Sequence, residues 1–205
     1  ASPPAPTLYL GMDGTGVPMC PSALEGRAGK QPDGTARTRE AKLCAVWSAE
    51  GRDDKGVPVR DEGSVSYTGA IESAASRDTD REPSAFVARV LREAERRRFH
   101  GAPRTSILGD GALWIWNVAD EHFPAAIQIV DLFHGKQYLS DVGKALFGAE
   151  NPEARGWAKA RHDELDDGHF DDLLAAVRAH SATSEGARLC AEDLERNRRL
   201  TRHPA

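Results

Sequence analysis

Three short apolar runs in this chain, residues 8–12, 105–108 and 126–130, each give way to an aspartate: Asp13, Asp110 and Asp131. Runs of this length read as buried strands, so each strand is expected to deliver its acid to a strand end. In an open sheet with parallel strands those ends converge on a crevice, where acids far apart in sequence can meet. Two further strands are expected at 42–47 and 64–69, joined by a polar stretch, 50–63, that contains Gly51, Gly56, Gly63 and Pro58. With the first strand they make a three-stranded antiparallel meander. Phe86, Val87, Val90, Leu91 and Ala94 then recur at helical spacing, with Asp80 or Ser84 as the N-cap and Arg96, Arg97 and Arg98 suited to the C-terminal end of the dipole. A short helix is expected over 112–120. Beyond Asp131 the pattern is helical throughout, with one apolar face at Tyr138, Leu139, Val142, Ala145 and Leu146 and another at Phe170, Leu173, Leu174 and Val177. Three strands, a helix, a strand, a helix, a strand and then helices only predict an α/β fold, a mixed sheet with helices packed on it, and a helical part from about residue 151.

Composition narrows the classes. The chain has 205 residues, 40% of them hydrophobic and 29% charged, as in ordinary globular proteins. Lys and Arg number 27 against 32 for Asp and Glu, a net charge of −5, which argues against a basic nucleic-acid-binding module. No apolar run approaches the roughly 18 residues of a membrane span, and the start has no basic-then-apolar leader, so no membrane partner is expected and the protein reads as cytoplasmic. Cys20, Cys44 and Cys190 lack the paired spacing of metal ribbons or disulfide frameworks and read as reduced thiols. Pro3, Pro4 and Pro6 give residues 1–7 the composition of a linker, as though the chain began inside a longer protein.

Converging carboxylates repel one another unless a cation neutralises them. Mg²⁺ suits such a site, since it takes hard oxygen ligands and keeps waters that a substrate phosphate can replace. Two ions about 3.5–4 Å apart can activate an attacking oxygen and stabilise the leaving oxygen of a phosphodiester. The plain alternative is that Asp13-Gly14 and Asp110-Gly111 are only strand-ending turns, a common use of the Asp-Gly dipeptide.

Four stretches, residues 8–18 (LYLGMDGTGVP), 38–43 (TREAKL), 108–117 (LGDGALWIWN) and 127–134 (IQIVDLFH), resemble the catalytic core of Kra-type insertion-sequence transposases. The resemblance runs from about residue 7 to 203, with Glu195-Arg196-Asn197-Arg198 matching a stretch that precedes the family's last acidic motif. It implies the DDE group and an RNase H-like fold: three antiparallel strands, then two parallel strands, flanked by helices. It implies that Asp13 and Asp110 are the first and second catalytic aspartates and hold Mg²⁺ or Mn²⁺. Asp131 and His134 match a supporting acid-x-x-His motif on the fifth strand. The partners implied are double-stranded DNA, as transposon ends and target, and further copies of the full-length chain. Residues 8–150 would form the catalytic core and 151–205 a helical insertion. The third acid of the family is a Glu in a Gly-Ser-Gly-x-x-Glu-Ser stretch that nothing here matches, so the chain is expected to be a truncated core with weak metal binding and little or no strand transfer.

Lesser features have plainer readings. Trp114 and Trp116, two apart on a helix, are expected to split across its surface, one in the core. Arg96 to Arg98 and Arg196 to Arg199 are short basic clusters, read as solvated helix ends more readily than as phosphate contacts. His162 and His169, near Asp163, Asp166 and Asp167, have no metal-ligand spacing and read as a polar helix junction. Two other functions compete: a non-enzymatic transposase remnant or partner-binding domain, and an actin-like or sugar-kinase phosphotransferase whose first hairpin carries a phosphate loop at Asp13-Gly14-Thr15-Gly16.

Overall fold

Leu8, Leu10 and Met12 alternate with Tyr9, Gly11 and Asp13, and this period of two sorts the first strand into a buried and an open side. The computed structural model describes residues 5–27, 29, 31–73 and 84–198. In chain order it contains β1 (Thr7–Pro18), the single-turn α1 (Pro21–Leu24), β2 (Thr38–Trp47), β3 (Gly51–Arg52), β4 (Pro58–Val59), β5 (Ser66–Ser73), α2 (Ala85–Arg96), β6 (Arg104–Gly109), α3 (Leu113–His122) and β7 (Ile127–Val130). Four helices follow, α4 (Leu132–Phe147), α5 (Pro152–Asp166), α6 (Phe170–Arg178) and α7 (Glu185–Asn197). The fold is α/β. Five strands form one sheet in the order β5-β2-β1-β6-β7, while β3 and β4 make a separate two-stranded ribbon inside the polar stretch. β1 runs antiparallel to β2, β2 antiparallel to β5, and β1 parallel to β6, so the sheet is mixed, with the meander at one side.

Two compact units divide the chain, Ala1–Ile129 and Val130–Ala205. In the first, Leu8, Leu10, Met12, Cys44, Val46 and Ile107 are buried on one face of the sheet, with Phe86, Val87, Val90 and Ala94 of α2 and Ile115, Val118 and Ala119 of α3. The two helices meet on that side where Phe86 and Trp114 pack edge to face. Ser84 caps α2 by accepting from Val87 N at 3.2 Å; the other candidate cap, Asp80, lies outside the described residues. The opposite face carries Leu43, Tyr67 and Ile71, which are 58%, 69% and 56% exposed. Both Trp114 and Trp116 are buried, against the expectation of one, because Ile115, Val118 and Ala119 are buried too and α3 is enclosed around most of its circumference.

In the second unit Leu139, Val142, Leu165, Leu173, Val177 and Leu194 share a core. α4 packs against α5 and α7, and α6 packs against the same two helices. Close approach of α4 and α5 depends on Gly143, where an added Cβ would stand 2.9 Å from the Ala154 carbonyl oxygen. Asp131, Asn151 and Ser184 cap α4, α5 and α7 with side-chain oxygens, and Pro152 occupies the first turn of α5, where its missing N–H is harmless. His162 donates from Nε2 to the Lys136 carbonyl at 2.8 Å, fastening α5 to α4. No described helix is long and apolar enough to cross a membrane. Cys20 is exposed, whereas burial pushes the thiols of Cys44 and Cys190 up to about 12.

The two faces of the sheet should respond oppositely to truncation. Leu10→Ala empties a fully buried site and is expected to cost about 2–5 kcal/mol in urea unfolding. Leu43→Ala, on the open face, should change stability by less than about 0.5 kcal/mol. Equal losses would contradict the assignment of faces.

Candidate functional site

Asp13 does not end its strand. β1 continues to Pro18, paired with β2 from Tyr9↔Trp47 to Pro18↔Thr38, and Asp13 sits opposite Leu43. The apolar run stops at Met12 because from Asp13 onward the strand carries Asp, Gly and Thr, yet its ladder with β2 persists. What does end near Asp13 is the parallel ladder with β6, whose last registered pair is Gly11↔Leu108. One step of two residues beyond that pair leads to Asp13 on β1 and to Asp110 just past β6. Residues two apart on a strand share a face, so this register, carried on by one step, would set the two acids at one level, although β6 itself ends at Gly109. The parity that puts Leu10 and Met12 on the helix-covered face puts Asp13 on the open one.

Each carboxylate is oriented by a local amide. Asp13 Oδ1 accepts from Gly14 N at 2.7 Å, and Asp110 Oδ1 accepts from Ala112 N at 2.9 Å. The Asp110-Gly111 dipeptide is indeed a turn, with Gly111 at φ 97° in the left-handed region that glycine tolerates, and it feeds directly into α3. Asp13-Gly14 is not a turn, since Gly14 pairs with Lys42 in the ladder. The same pairing extends Asp13-Gly14-Thr15-Gly16 along the sheet, where a phosphate-cradling loop would need a tight bend. Asp131 and His134 belong to the second unit. Asp131 caps α4 by accepting from Phe133 N at 2.9 Å, and His134 is exposed on the first turn of that helix.

A buried polar cluster on the helix-covered face was not anticipated. Lys42 is 0% exposed, with Nζ 3.5 Å from Glu72 Oε2 and 4.5 Å from the centre of the Trp114 ring. Phe86 offers a second ring face at 5.8 Å. Glu72 also accepts from Phe86 N at 2.8 Å, a carboxylate at the start of α2 where the helix dipole favours one. Glu40 is buried beside it, in register with Glu72. The signal lay in the alternation of β2, in which Glu40 and Lys42 share parity with the buried Cys44 and Val46. Gly14 is where these parts meet: a Cβ there would stand 2.7 Å from Glu40 Oε1 and 3.3 Å from Trp114 Cζ2.

The basic clusters are engaged within the fold. Arg96 pairs with Glu93 at 2.5 Å, and Arg97 donates to the carbonyls of Val46 and Ser64 and to Ser66 Oγ. Arg98 adopts φ 55° at the end of α2 and has interactions of its own. Arg196 pairs with Asp193 at 3.3 Å and Arg198 with Asp171, while Arg199 lies outside the described residues. The Arg96 hydrogen bond, aided by Ser66, holds the Glu93 carboxyl below its ordinary range despite an opposing effect of burial.

Among the described residues no group of three or more His, Cys, Asp and Glu side chains is arranged to hold a metal. The donor chemistry of Asp13 with Asp110 nevertheless fits a hard divalent cation, because Mg²⁺ is commonly held by one or two carboxylates and completes its shell with water. No protein-family model matches the chain, nor does any curated protein or solved structure.

Two outcomes follow from this geometry. Gly14→Ala should destabilise the protein by about 1–3 kcal/mol in chemical unfolding, because the buried Glu40 and Trp114 leave no room. Gly16→Ala should be near neutral, its nearest contact being Thr38 Oγ1 at an ordinary 3.5 Å. Glu93 has a folded pKa below its unfolded one, so its stabilisation is present above the ordinary carboxylate range and is lost as pH falls through the lowered value. Urea midpoints measured from pH 7 down to 3 should therefore fall less steeply in Glu93→Gln than in the wild type.

Proposed function

We propose that the sheet-bearing unit is the catalytic core of a DNA transposase of the DDE group, with an RNase H-like fold, in which Asp13 and Asp110 are two of the metal-binding carboxylates. The observation that supports this reading is the parallel register of β1 with β6, whose last pair, Gly11↔Leu108, stands two residues before each acid. The strand order, with an antiparallel meander at one side and β6 and β7 at the other, is the arrangement that the sequence resemblance to Kra-type transposases implies.

On this reading the substrate is double-stranded DNA. Asp13 and Asp110 would hold Mg²⁺ or Mn²⁺, which supplies charge neutralisation at the phosphodiester and activation of the attacking oxygen. The chain's own contribution is orientation. With Oδ1 fixed by a backbone amide in each case, Oδ2 of both acids is left for the cation. The exposure of Asp13 on the open face leaves a long, stiff duplex room to approach. Asp131 would set the start of α4 and so the place of His134 in the supporting motif.

Two carboxylates make a weaker site than three, and no stretch of the sequence matches the motif of the family's third acid. The pairing of Arg96, Arg196 and Arg198 with neighbouring carboxylates and of Arg97 with backbone carbonyls favours as second reading a non-enzymatic remnant or partner-binding domain. A phosphotransferase is less supported, because residues 13–16 lie extended in a ladder.

Mn²⁺ titration followed by the electron paramagnetic resonance of the free ion separates these readings. Weak binding by the wild type that falls at least about tenfold in Asp13→Asn and in Asp110→Asn supports the shared site. Binding unchanged in both variants, or none in the wild type, overturns it.

A further inference from the structure

Beyond Gly11↔Leu108 no registered pair ties the Asp110 turn to β1, so something other than the sheet must hold the second acid opposite the first. The connection runs through α3. That helix starts three residues after Asp110, and its first turn is planted at two points. Ile115 lies against Gly109, where an added Cβ would come within 2.8 Å of Ile115 Cγ2. Trp114 reaches across to β1, its ring edge resting on Gly14, the residue after Asp13. The ring in turn lies against the Lys42 ammonium, 4.5 Å from the centroid. Lys42 stands on β2 directly opposite Gly14, and Glu72 of β5, itself fastened to Phe86 N of α2, holds the ammonium from the far side.

We infer that Lys42 and Trp114 form a clamp that sets the spacing between Asp13 and Asp110: they are positioning residues for the carboxylate pair, acting from the opposite side of the sheet. This rests on the reading of that pair as a metal site for its functional consequence, but the spacing itself can be measured without a metal. The chemistry suits the task. A buried ammonium over an indole face is attracted to the ring and loses that attraction if the ring slides, so the contact resists lateral movement of α3 in a way that apolar packing does not. Gly14 leaves the room that the indole edge and the Glu40 carboxylate share, since an added Cβ would stand 2.7 Å from Glu40 Oε1 and 3.3 Å from Trp114 Cζ2.

Nitroxide labels at Asp13→Cys and Asp110→Cys read the spacing by dipolar broadening. They are placed in a Cys20→Ser background, since Cys20 is exposed while Cys44 and Cys190 are buried. Strong, uniform broadening is expected in the parent protein. It should become weaker and more heterogeneous with Lys42→Met and with Trp114→Phe, and be largely retained with Lys42→Arg, which keeps the cation. Val118→Ala, one turn further along α3 and fully buried, should lower stability with no change in broadening. In unlabelled protein, Lys42→Met and Trp114→Phe should each weaken Mn²⁺ binding about tenfold. Unchanged broadening in both clamp variants overturns the inference, as does an equal change in Val118→Ala, which would mark a general loosening of the core. Should Lys42→Met not fold, Trp114→Phe carries the test alone. If the wild type binds no Mn²⁺, the metal reading fails and the label measurement still decides the clamp.

Discussion

The pairing of β1 with both of its neighbours is the constraint on which the rest of the first unit depends. β1 forms an antiparallel ladder with β2 over almost its whole length but a parallel ladder with β6 only as far as Gly11↔Leu108. A one-residue slip in either ladder would exchange Leu8, Leu10 and Met12 for Tyr9, Gly11 and Asp13 on the helix-covered face. Burial of three large apolar side chains, at roughly 1.5–3 kcal/mol each, makes that slip prohibitive. The same parity sends Asp13 to the open side. The hydrophobic core thus fixes the face that Asp13 occupies, and no attraction between the acids is needed for it.

The interior of the sheet unit also contains charge. Glu40, Lys42 and Glu72 lie among apolar neighbours, and Glu40 stands opposite Glu72 across β2 and β5, a like-charge pair that would destabilise the strands by itself. Lys42 offsets this, and its two aromatic neighbours add to what holds it. Such clusters seldom raise stability over a well-packed apolar alternative, although breaking one by removing a partner costs about 3–5 kcal/mol. Their effect here is geometric: the ammonium ties β2, β5 and α3 together on one side of the sheet, beneath the segments that carry the two acids.

Much of this was legible in the sequence because the elements obey simple periods. The strands at 42–47, 105–108 and 126–130 and the helix marked by Phe86, Val90 and Ala94 are read from alternation or from 3.6-residue spacing, and Ser84 from its chemistry as a cap. β1 was read too short because its second half is Gly, Asp and Thr, which carry no hydrophobic signal; only the partner strand reveals that it continues. The split of Trp114 from Trp116 rests on helical angle alone, which is blind to how wide the buried face of α3 is. The Lys42 cluster was missed for a related reason: charged side chains mask the period of a strand whose inward positions they occupy. At Asp110 the turn reading and the site reading describe the same residue, since the turn is what orients the carboxylate.

On the proposed reading Asp13 and Asp110 act together on one divalent cation. Paramagnetic broadening of backbone amide resonances by substoichiometric Mn²⁺ tests this most directly, because it locates the ion without presupposing a reaction. Broadening is expected to centre on Asp13, Gly14, Gly111 and Ala112, the amides beside the two carboxylates. Broadening centred instead on the exposed acids at the end of α5, Asp163, Asp166 and Asp167, with residues 13–14 and 111–112 unaffected, would contradict it.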